Sequence, residues 1–409
     1  MDFSGYSRLW AQRPVRALFA AAFFARIPAL AAPLVLTLYV VDGLGGTYKE
    51  AGVVAAASTI GAGIGAPWRG RLIDRLGMRR AIIPSIVAVG VLYPLAAQST
   101  FVWLIPLAFG MGLFLIPIFS IVRLSLSVMV PPAQHRTAFA ADSVIAEAGF
   151  IIGPAVGGVL VVQAGADVAL ALIGACEVVA GLIFYRLDPP TRSERARADD
   201  QAGDEAPTPT RGWMSSQVLF LFLISSGTMI ALVSTDLGII AELDHLHQVG
   251  SVGVVFGAWG LSSLVGGLLY GALDFSIRPT WLLLALGVTL IPVGLADTVW
   301  VLALCVMPTG FLCAPTMSAA SEWIAKLVPE QRRGEAMGWQ GTAFTMGGAA
   351  SSPVIGAAID GVGPWGGFLV GGSIATVIAV VAFAGQLVPR WRPDQADDAD
   401  RSLSAGSPR

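Results

Sequence analysis

The chain has 409 residues, of which 55% are hydrophobic and 13% are charged, and its mean hydropathy is +0.73. Because an average soluble domain carries about 25% charged residues, this composition excludes an ordinary water-soluble protein and indicates an integral membrane protein. The formal net charge of −2 leaves no basic excess for binding nucleic acid, which we exclude as a partner.

Twelve apolar segments follow one another along the chain, each near the roughly 20 residues that a helix needs to span a bilayer. Strands of a membrane barrel would be about ten residues long and would alternate strictly between apolar and polar residues, which these segments do not do. We therefore predict an all-α integral membrane protein with twelve transmembrane helices. The segments cover residues 17–41, 51–68, 81–98, 101–122, 137–163, 168–187, 214–241, 250–273, 279–296, 298–321, 336–359 and 365–388.

The basic residues predict the orientation, because lysine and arginine are retained in cytoplasmic loops. Of the 25 lysine and arginine residues, Lys49 alone lies in a loop predicted to face outside, and Arg26 and Arg123 lie within segments. The other 22 fall in the N-terminus, alternate loops and the C-terminal tail, all on one side. We predict a multi-pass protein of the bacterial inner (plasma) membrane with both termini in the cytoplasm.

The loop after the second segment reads GRLIDRLGMRR over residues 70–80. Its glycines permit a tight turn, and its aspartate stands among arginines at the membrane surface. The pattern resembles the signature loop of the major facilitator superfamily, in which it implies a cytoplasmic latch between two halves. We expect Glu335, at the start of the eleventh segment, as the partner of this latch. The loop residues of the prediction are Gly70, Asp74, Arg75, Gly77, Arg79 and Arg80.

The fifth segment carries the sequence GFIIGPAVGG at residues 149–158. A spacing of four places three of its glycines on one helix face, where helices can approach closely, so helix packing alone explains the motif. The same arrangement resembles the antiporter signature of proton-coupled exporters in the superfamily, which implies efflux. Its residues are Gly149, Gly153, Pro154, Gly157 and Gly158.

The second half of the chain repeats the first, since the pattern of residues 51–74 recurs at 251–274. Six helices per half bring both halves into the membrane in the same direction, related by an axis along the membrane normal. We predict an N-terminal half at 1–187 and a C-terminal half at 214–388. The polar join at 188–213 suits a cytoplasmic linker, and residues 389–409 suit a disordered cytoplasmic tail.

Twelve segments, the repeat, the charged linker and both motifs resemble the major facilitator superfamily over essentially the whole chain. The resemblance implies the facilitator fold, with a cleft between two parallel six-helix halves and transport by alternating access. One feature departs from the pattern. Many exporters of the superfamily carry an arginine early in the fourth segment before Gly-x-Gly, whereas here Pro106 and Ala108 precede Gly110 and Gly112.

Ionisable groups inside a membrane are costly, so they are candidates for function. Arg26 and Glu147 both lie roughly 15 Å above the cytoplasmic ends of their helices, so we predict that they pair. In the functional interpretation Glu147 carries a proton that is coupled to substrate movement; in the alternative the two form a static ion pair that orients the helices. Asp142 and Asp236 are the other candidates for coupling.

Arg123 and Glu322 are candidates for gating between the halves. Glu322 lies close to the position that the repeat makes equivalent to Arg123. We therefore predict that the two side chains face each other across the halves.

No cofactor, metal or ATP is expected. A phosphate-binding loop needs lysine followed by serine or threonine, but Lys49 and Lys326 are followed by Glu50 and Leu327. We predict a secondary transporter and not an enzyme, with protons, a small molecule and the lipid bilayer as partners. Proton-coupled efflux of a small, partly apolar molecule is the preferred interpretation; the alternatives are a nutrient uptake symporter and, third, a membrane sensor or enzyme.

Overall fold

The computed structural model describes residues 4–192 and 213–387, and within these ranges the secondary structure is helical, without strands. The middle of the predicted linker, 193–212, and the predicted tail, 389–409, lie outside the described residues. The domain boundaries that rest on them therefore stay predictions.

The N-terminal half consists of a short helix followed by six spans, of which the fourth is built from two helices. Its helices are α1 (Ser4–Ala11), α2 (Arg13–Leu38), α3 (Tyr48–Leu76), α4 (Met78–Ala96), α5 (Phe101–Leu113), α6 (Ile118–Met129), α7 (His135–Ala164) and α8 (Ala166–Leu187). The break between α5 and α6 leaves residues 114–117 outside regular helix, in the middle of the fourth span.

The C-terminal half supplies the other six spans in the same order. Its helices are α9 (Ser216–His245), α10 (Val252–Gly271), α11 (Pro279–Leu290), α12 (Val299–Leu327), α13 (Arg333–Val362) and α14 (Pro364–Leu387). Ten spans of the described chain are long and apolar enough to cross a membrane. The other two are α11, which continues as a 3-10 turn, and α13, which carries polar residues such as Gln340 and Thr342. The prediction of an all-α protein with twelve spans is confirmed.

Local sequence signals set several helix ends. Thr47 begins α3 through a capping box with Glu50, in which each side chain accepts a hydrogen bond from the other's backbone amide. Gly77, Gly165 and Gly363 have φ angles of 75°, 87° and 93°, a region that residues with a side chain rarely adopt. These glycines allow the chain to pass from one helix directly into the next.

The two halves pack their helices in the same way, as the sequence repeat indicates. In the N-terminal half α2 packs on α7 and α3 packs on α5; in the C-terminal half the equivalent helices α9 and α13, and α10 and α12, pack together. Between the halves, α3 contacts α13, and α7 contacts both α10 and α12. The faces of these five helices therefore form the boundary across which the halves meet.

Candidate transport cleft

The halves are joined at the side of the molecule that carries α1 and the 70–80 loop, called the terminal side below. Asp74, near the end of α3, is buried, and its carboxylate accepts hydrogen bonds from the backbone amides of Gly334 (2.9 Å) and Glu335 (2.8 Å). These amides belong to the first turn of α13, where the helix dipole also favours a negative charge. Gly70 lies so close to Gly334 that a Cβ on either would overlap its neighbour.

One arginine of the loop crosses to the other half. Arg71 Nε lies 2.6 Å from Glu335 Oε1 of the C-terminal half. The second oxygen of Glu335 lies 3.0 Å from Arg332 Nη1, which belongs to the same half as Glu335. Arg75 and Arg80 are exposed, and Arg79 bonds to Asp188 of its own half. The structure thus brings Asp74 and Glu335 together but leaves three of the predicted arginines outside the contact. Gly77 forms the turn that follows.

Further hydrogen bonds join the halves on the same side. Tyr6, on α1, donates to the Leu268 carbonyl at the end of α10 (3.0 Å), and Thr137, on α7, donates to the Gly271 carbonyl (2.7 Å). Ser120, on α6, donates to the Met337 carbonyl of α13 (3.1 Å). These contacts close the terminal side of the boundary.

On the opposite side the helices of the boundary separate. A Cβ placed on Gly253 or Gly257 of α10, or on Gly356 of α13, would meet no atom within 4 Å. Asp236, in the outer part of α9, keeps an exposed side chain, although its carboxyl lies close enough to the Cys313 thiol to act on it electrostatically. The cleft between the halves therefore opens away from the terminal side.

Three buried charges lie at the bottom of this cleft, within the N-terminal half. Asp142 is fully buried, and its two carboxylate oxygens contact Arg26 Nη2 at 2.6 Å and Arg123 Nε at 3.2 Å. Arg26 also donates to the Asp142 carbonyl at 3.3 Å. We call these three residues the arginine cluster; it contains two positive charges and one negative charge.

Aromatic rings cover the arginine cluster. The Arg26 guanidinium lies 4.5 Å from the centre of the Phe119 ring, which in turn lies 6.2 Å from the ring of Phe150. The Arg123 guanidinium lies 6.0 Å from the ring of Phe344, which belongs to α13 of the other half. Such cation–π contacts offset part of the cost of burying a guanidinium.

Glu147 contacts the other half and not the arginine cluster. Ser263, on α10, donates a hydrogen bond of 2.5 Å to Glu147 Oε1, and the Cys313 thiol of α12 lies beside the same carboxyl. Glu147 Oε2 is buried without a hydrogen-bond partner among the described residues. In the described part of the chain, a single carboxyl on α7 thus joins the two halves without a cation next to it.

Comparison with known proteins identifies the family. A family model described as the Major Facilitator Superfamily matches residues 18–246 and again residues 218–407. The chain belongs to the major facilitator superfamily. Membership makes it a secondary transporter of the membrane rather than an enzyme. Among curated proteins, none matches the chain by sequence.

Solved facilitator structures share the fold over almost the whole chain. The human organic anion transporter MFSD10 (TETRAN) has a TM-score of 0.69 at 17% identity, covering 91% of this chain and 100% of its own. A bacterial homologue of the iron transporter ferroportin, in the outward-facing state with soaked iron, has a TM-score of 0.67 at 17% identity, covering 91% and 97%. The E. coli fucose:proton symporter FucP has a TM-score of 0.67 at 16% identity, covering 90% and 97%.

Two predicted ion pairs of this facilitator are wrong. Arg26 binds Asp142 and not Glu147, because these two acidic residues are five positions apart on α7 and point about 140° away from each other. Arg123 also binds Asp142, whereas Glu322 contacts Lys326 Nζ (2.6 Å) and the Tyr270 hydroxyl (3.1 Å). Arg123 and Glu322 each find their partners within their own half, where neighbouring spans are nearer than the equivalent helix of the other half.

The glycine motif of the fifth span packs α7 against α2. A Cβ on Gly153 would lie 2.8 Å from Leu30 Cβ, and one on Gly149 would lie 3.3 Å from Arg26 Cβ. Gly157 is equally close to Ala31, whereas Gly158 and Pro154 lie at the edge of the contact. The close approach of the two helices lets Arg26 reach Asp142.

Sequence reasoning missed several polar residues of the site. Ser263 and Thr137 were recognisable as polar residues in otherwise apolar stretches, but neither carries a charge that would single it out. A second set of buried polar residues lies away from the cleft. In it the Tyr93 hydroxyl donates a hydrogen bond of 3.0 Å to Glu177 Oε1, and Arg69 lies nearby. Arg69 donates to the Leu113 carbonyl at the end of α5 and so supports the broken fourth span.

Proposed function

We propose that the protein exports a small, partly apolar molecule from the bacterial cytoplasm in exchange for protons. Both termini, and with them the terminal side, face the cytoplasm in this proposal, so the described conformation is closed inside and open outside. The positive-inside distribution of basic residues supports this orientation. The likeness to a ferroportin homologue that is described as outward-facing supports the same state.

The observation that carries proton coupling is the contact between Glu147 and Ser263. A proton carrier must lie where its surroundings change during the cycle, and this carboxyl bonds across the boundary between the halves. When the halves rock, Ser263 and Cys313 leave with the C-terminal half and water or substrate takes their place. Since no described residue places a fixed cation beside this carboxyl, the cost of its negative charge changes with each state.

Asp142 is poorly suited to the same task. It lies between two guanidinium groups at 2.6 and 3.2 Å, and all three residues belong to one half. Rocking of the halves leaves this arrangement intact, so the negative charge on Asp142 stays favourable throughout. Asp236, which faces the open cleft, is the second candidate for carrying protons.

The composition of the cleft supports a partly apolar substrate. Phe119, Phe150 and Phe344 cover its charged floor, whereas recognition of a sugar needs many hydrogen-bonding groups. Uptake of a nutrient together with protons uses the same geometry at Glu147 and is the alternative, as the likeness to a fucose:proton symporter illustrates. The direction in which a proton gradient drives the substrate separates the two.

Transport in proteoliposomes tests the proposal. Substrates are first found as amphiphilic compounds that accumulate less in cells producing the protein, and their flux is then measured with and without an imposed pH gradient. We expect accumulation against a gradient that a protonophore abolishes. Glu147→Gln should stop this accumulation while downhill exchange continues, because glutamine keeps the volume and fixes the neutral form.

Glu177→Gln is the matched control. It makes the same change at another buried glutamate, on α8 and away from the boundary. Proton-driven accumulation should survive in this variant. If Glu147→Gln still concentrates the substrate, the proton carrier lies elsewhere, and Asp236→Asn and Asp142→Asn are tested next.

A further inference from the structure

The arginine cluster carries a positive charge that no acidic group among the described residues balances. Arg26 and Arg123 share a single carboxylate, and within 4.0 Å no other acidic group contacts either guanidinium in the described chain. Burying an unbalanced charge at membrane depth is costly. A purely structural ion pair needs one arginine, so the second requires an explanation.

The cluster also holds unused hydrogen-bond donors. Arg26 Nε and Arg123 Nη2 are both buried without a partner among the described residues. Arginine presents its N–H groups in a planar fork that matches a carboxylate or another oxyanion. The helix α6, which carries Arg123 and Phe119, begins at the break in the fourth span, so its N-terminal dipole adds positive potential within the membrane.

The cover over the cluster is divided between the halves. Phe119 and Phe150 belong to the same half as the three charged residues, but Phe344, over Arg123, belongs to the other half. Opening of the terminal side carries α13 and Phe344 away from Arg123. The free guanidinium N–H groups then become accessible from that side, beside aromatic rings that remain in place.

We propose that the arginine cluster binds the anionic head group of an organic anion, whose apolar body lies against Phe119 and Phe150. This inference rests on the proposed function, because it names the substrate class of the same cleft. The negative charge of the ligand balances the second arginine, and its oxygens accept hydrogen bonds from Arg123 Nη2 and Arg26 Nε. Affinity should therefore follow the net charge of the cluster.

Three probes with the same body and different head groups test the proposal: phenylbutyrate, phenylbutanol and phenylbutylamine. Equilibrium dialysis against the protein in lipid nanodiscs gives a Kd for each, without any gradient. We expect phenylbutyrate to bind about tenfold or more tightly than the alcohol, since it gains charge-assisted hydrogen bonds. The amine should bind most weakly. Equal affinity for all three, or no binding of phenylbutyrate, overturns the proposal.

Variants of the cluster then separate ligand binding from a structural role. Arg123→Gln reduces the net charge to zero and should weaken phenylbutyrate binding about tenfold or more. The double variant Arg123→Gln with Asp142→Asn restores one positive charge on Arg26 and should recover much of the affinity. Arg123→Lys keeps the charge and serves if the glutamine variant does not fold. A structural role instead predicts that phenylbutyrate affinity follows the thermal stability of the variants and not their charge.

The two proposals fail in different ways. If proton-driven flux of another compound is lost in Glu147→Gln but phenylbutyrate does not bind, the anion site is wrong and proton coupling stands. If phenylbutyrate binds with the predicted charge dependence but Glu147→Gln still accumulates substrate, the anion site stands and the assignment of the proton carrier is wrong.

Discussion

Replacement of Asp74 by asparagine should open the terminal side. The carboxylate accepts two backbone hydrogen bonds, from Gly334 and Glu335, at the start of α13. Asparagine keeps one acceptor oxygen and places an amide group against the other N–H. The loss of one hydrogen bond to a charged group costs about 1.5–3 kcal/mol, and the loss of the charge–dipole interaction adds about 0.3–1 kcal/mol.

Even about 2 kcal/mol changes the balance between closed and open states roughly 30-fold, since each 1.4 kcal/mol is a factor of ten. A cysteine at Val144 on α7 reports this change, because the side chain is covered by α10 at Gly267 in the closed state. In a background without the three native cysteines, a hydrophilic maleimide added from the terminal side should label Val144→Cys much faster when Asp74→Asn is present. Transport should slow, because the state that is closed at the terminal side is less populated.

Asp188→Asn provides the control for this experiment. Asp188 lies on the same side and pairs with Arg79, but both residues belong to the N-terminal half. The substitution removes the same charge without touching the other half, so labelling should stay at the level of the parent protein. Equal labelling in Asp74→Asn and Asp188→Asn would show that Asp74 does not hold the halves together.

Two further substitutions test the packing of the boundary and of the fifth span. Tyr6→Phe removes the donor to the Leu268 carbonyl and should weaken closure of the terminal side by about 0.5–1.5 kcal/mol, which raises the labelling of Val144→Cys modestly. Burial raises the pKa of the Tyr6 phenol, so its hydroxyl remains a donor at any physiological pH. The effect of the substitution should therefore not depend on pH. Gly153→Ala should destabilise the purified protein by about 1–3 kcal/mol through overlap with Leu30, whereas Gly158→Ala, whose Cβ would stand 4.0 Å from Leu34, should leave the melting temperature unchanged.

Hydropathy and spacing predicted the fold. A membrane span is recognised from the apolar residues of its own segment, so the number of spans can be found without knowing any tertiary contact. The signal is weakest at α13: its segment, 336–359, is less apolar than the ten clearest spans because it carries polar residues such as Gln340, which bonds to Ser225 and Ser321 of neighbouring helices. The family followed from the 70–80 loop, where glycine, aspartate and arginine occur at fixed positions.

The pairing of charges could not be predicted from depth. Asp142 and Glu147 differ by about 7.5 Å in height, which left both within reach of Arg26, and the face of α7 on which each lies decided the outcome. The face of α7 that turns towards Arg26 is set by the packing of α2 against the glycines of the fifth span. This packing is a tertiary contact, which depth along the helix does not reveal. Arg71 was likewise indistinguishable by sequence from Arg75, although only Arg71 reaches Glu335.

The helix α7 carries both proposed sites, on faces that behave differently when the halves move. The face with Asp142 turns towards Arg26 and Arg123 of the same half, so the contacts among these three charges stay in place throughout the cycle. The face with Glu147 turns towards Ser263 of the other half, so its surroundings change whenever the halves rock. A ligand or proton shifts the conformational balance only through a difference in its interaction with the two states. In the proposed function the proton gradient therefore acts through Glu147, because the contacts among the three charges of the arginine cluster do not change when the halves rock. On this proposal Glu147→Gln should stop accumulation while the binding of an organic anion survives.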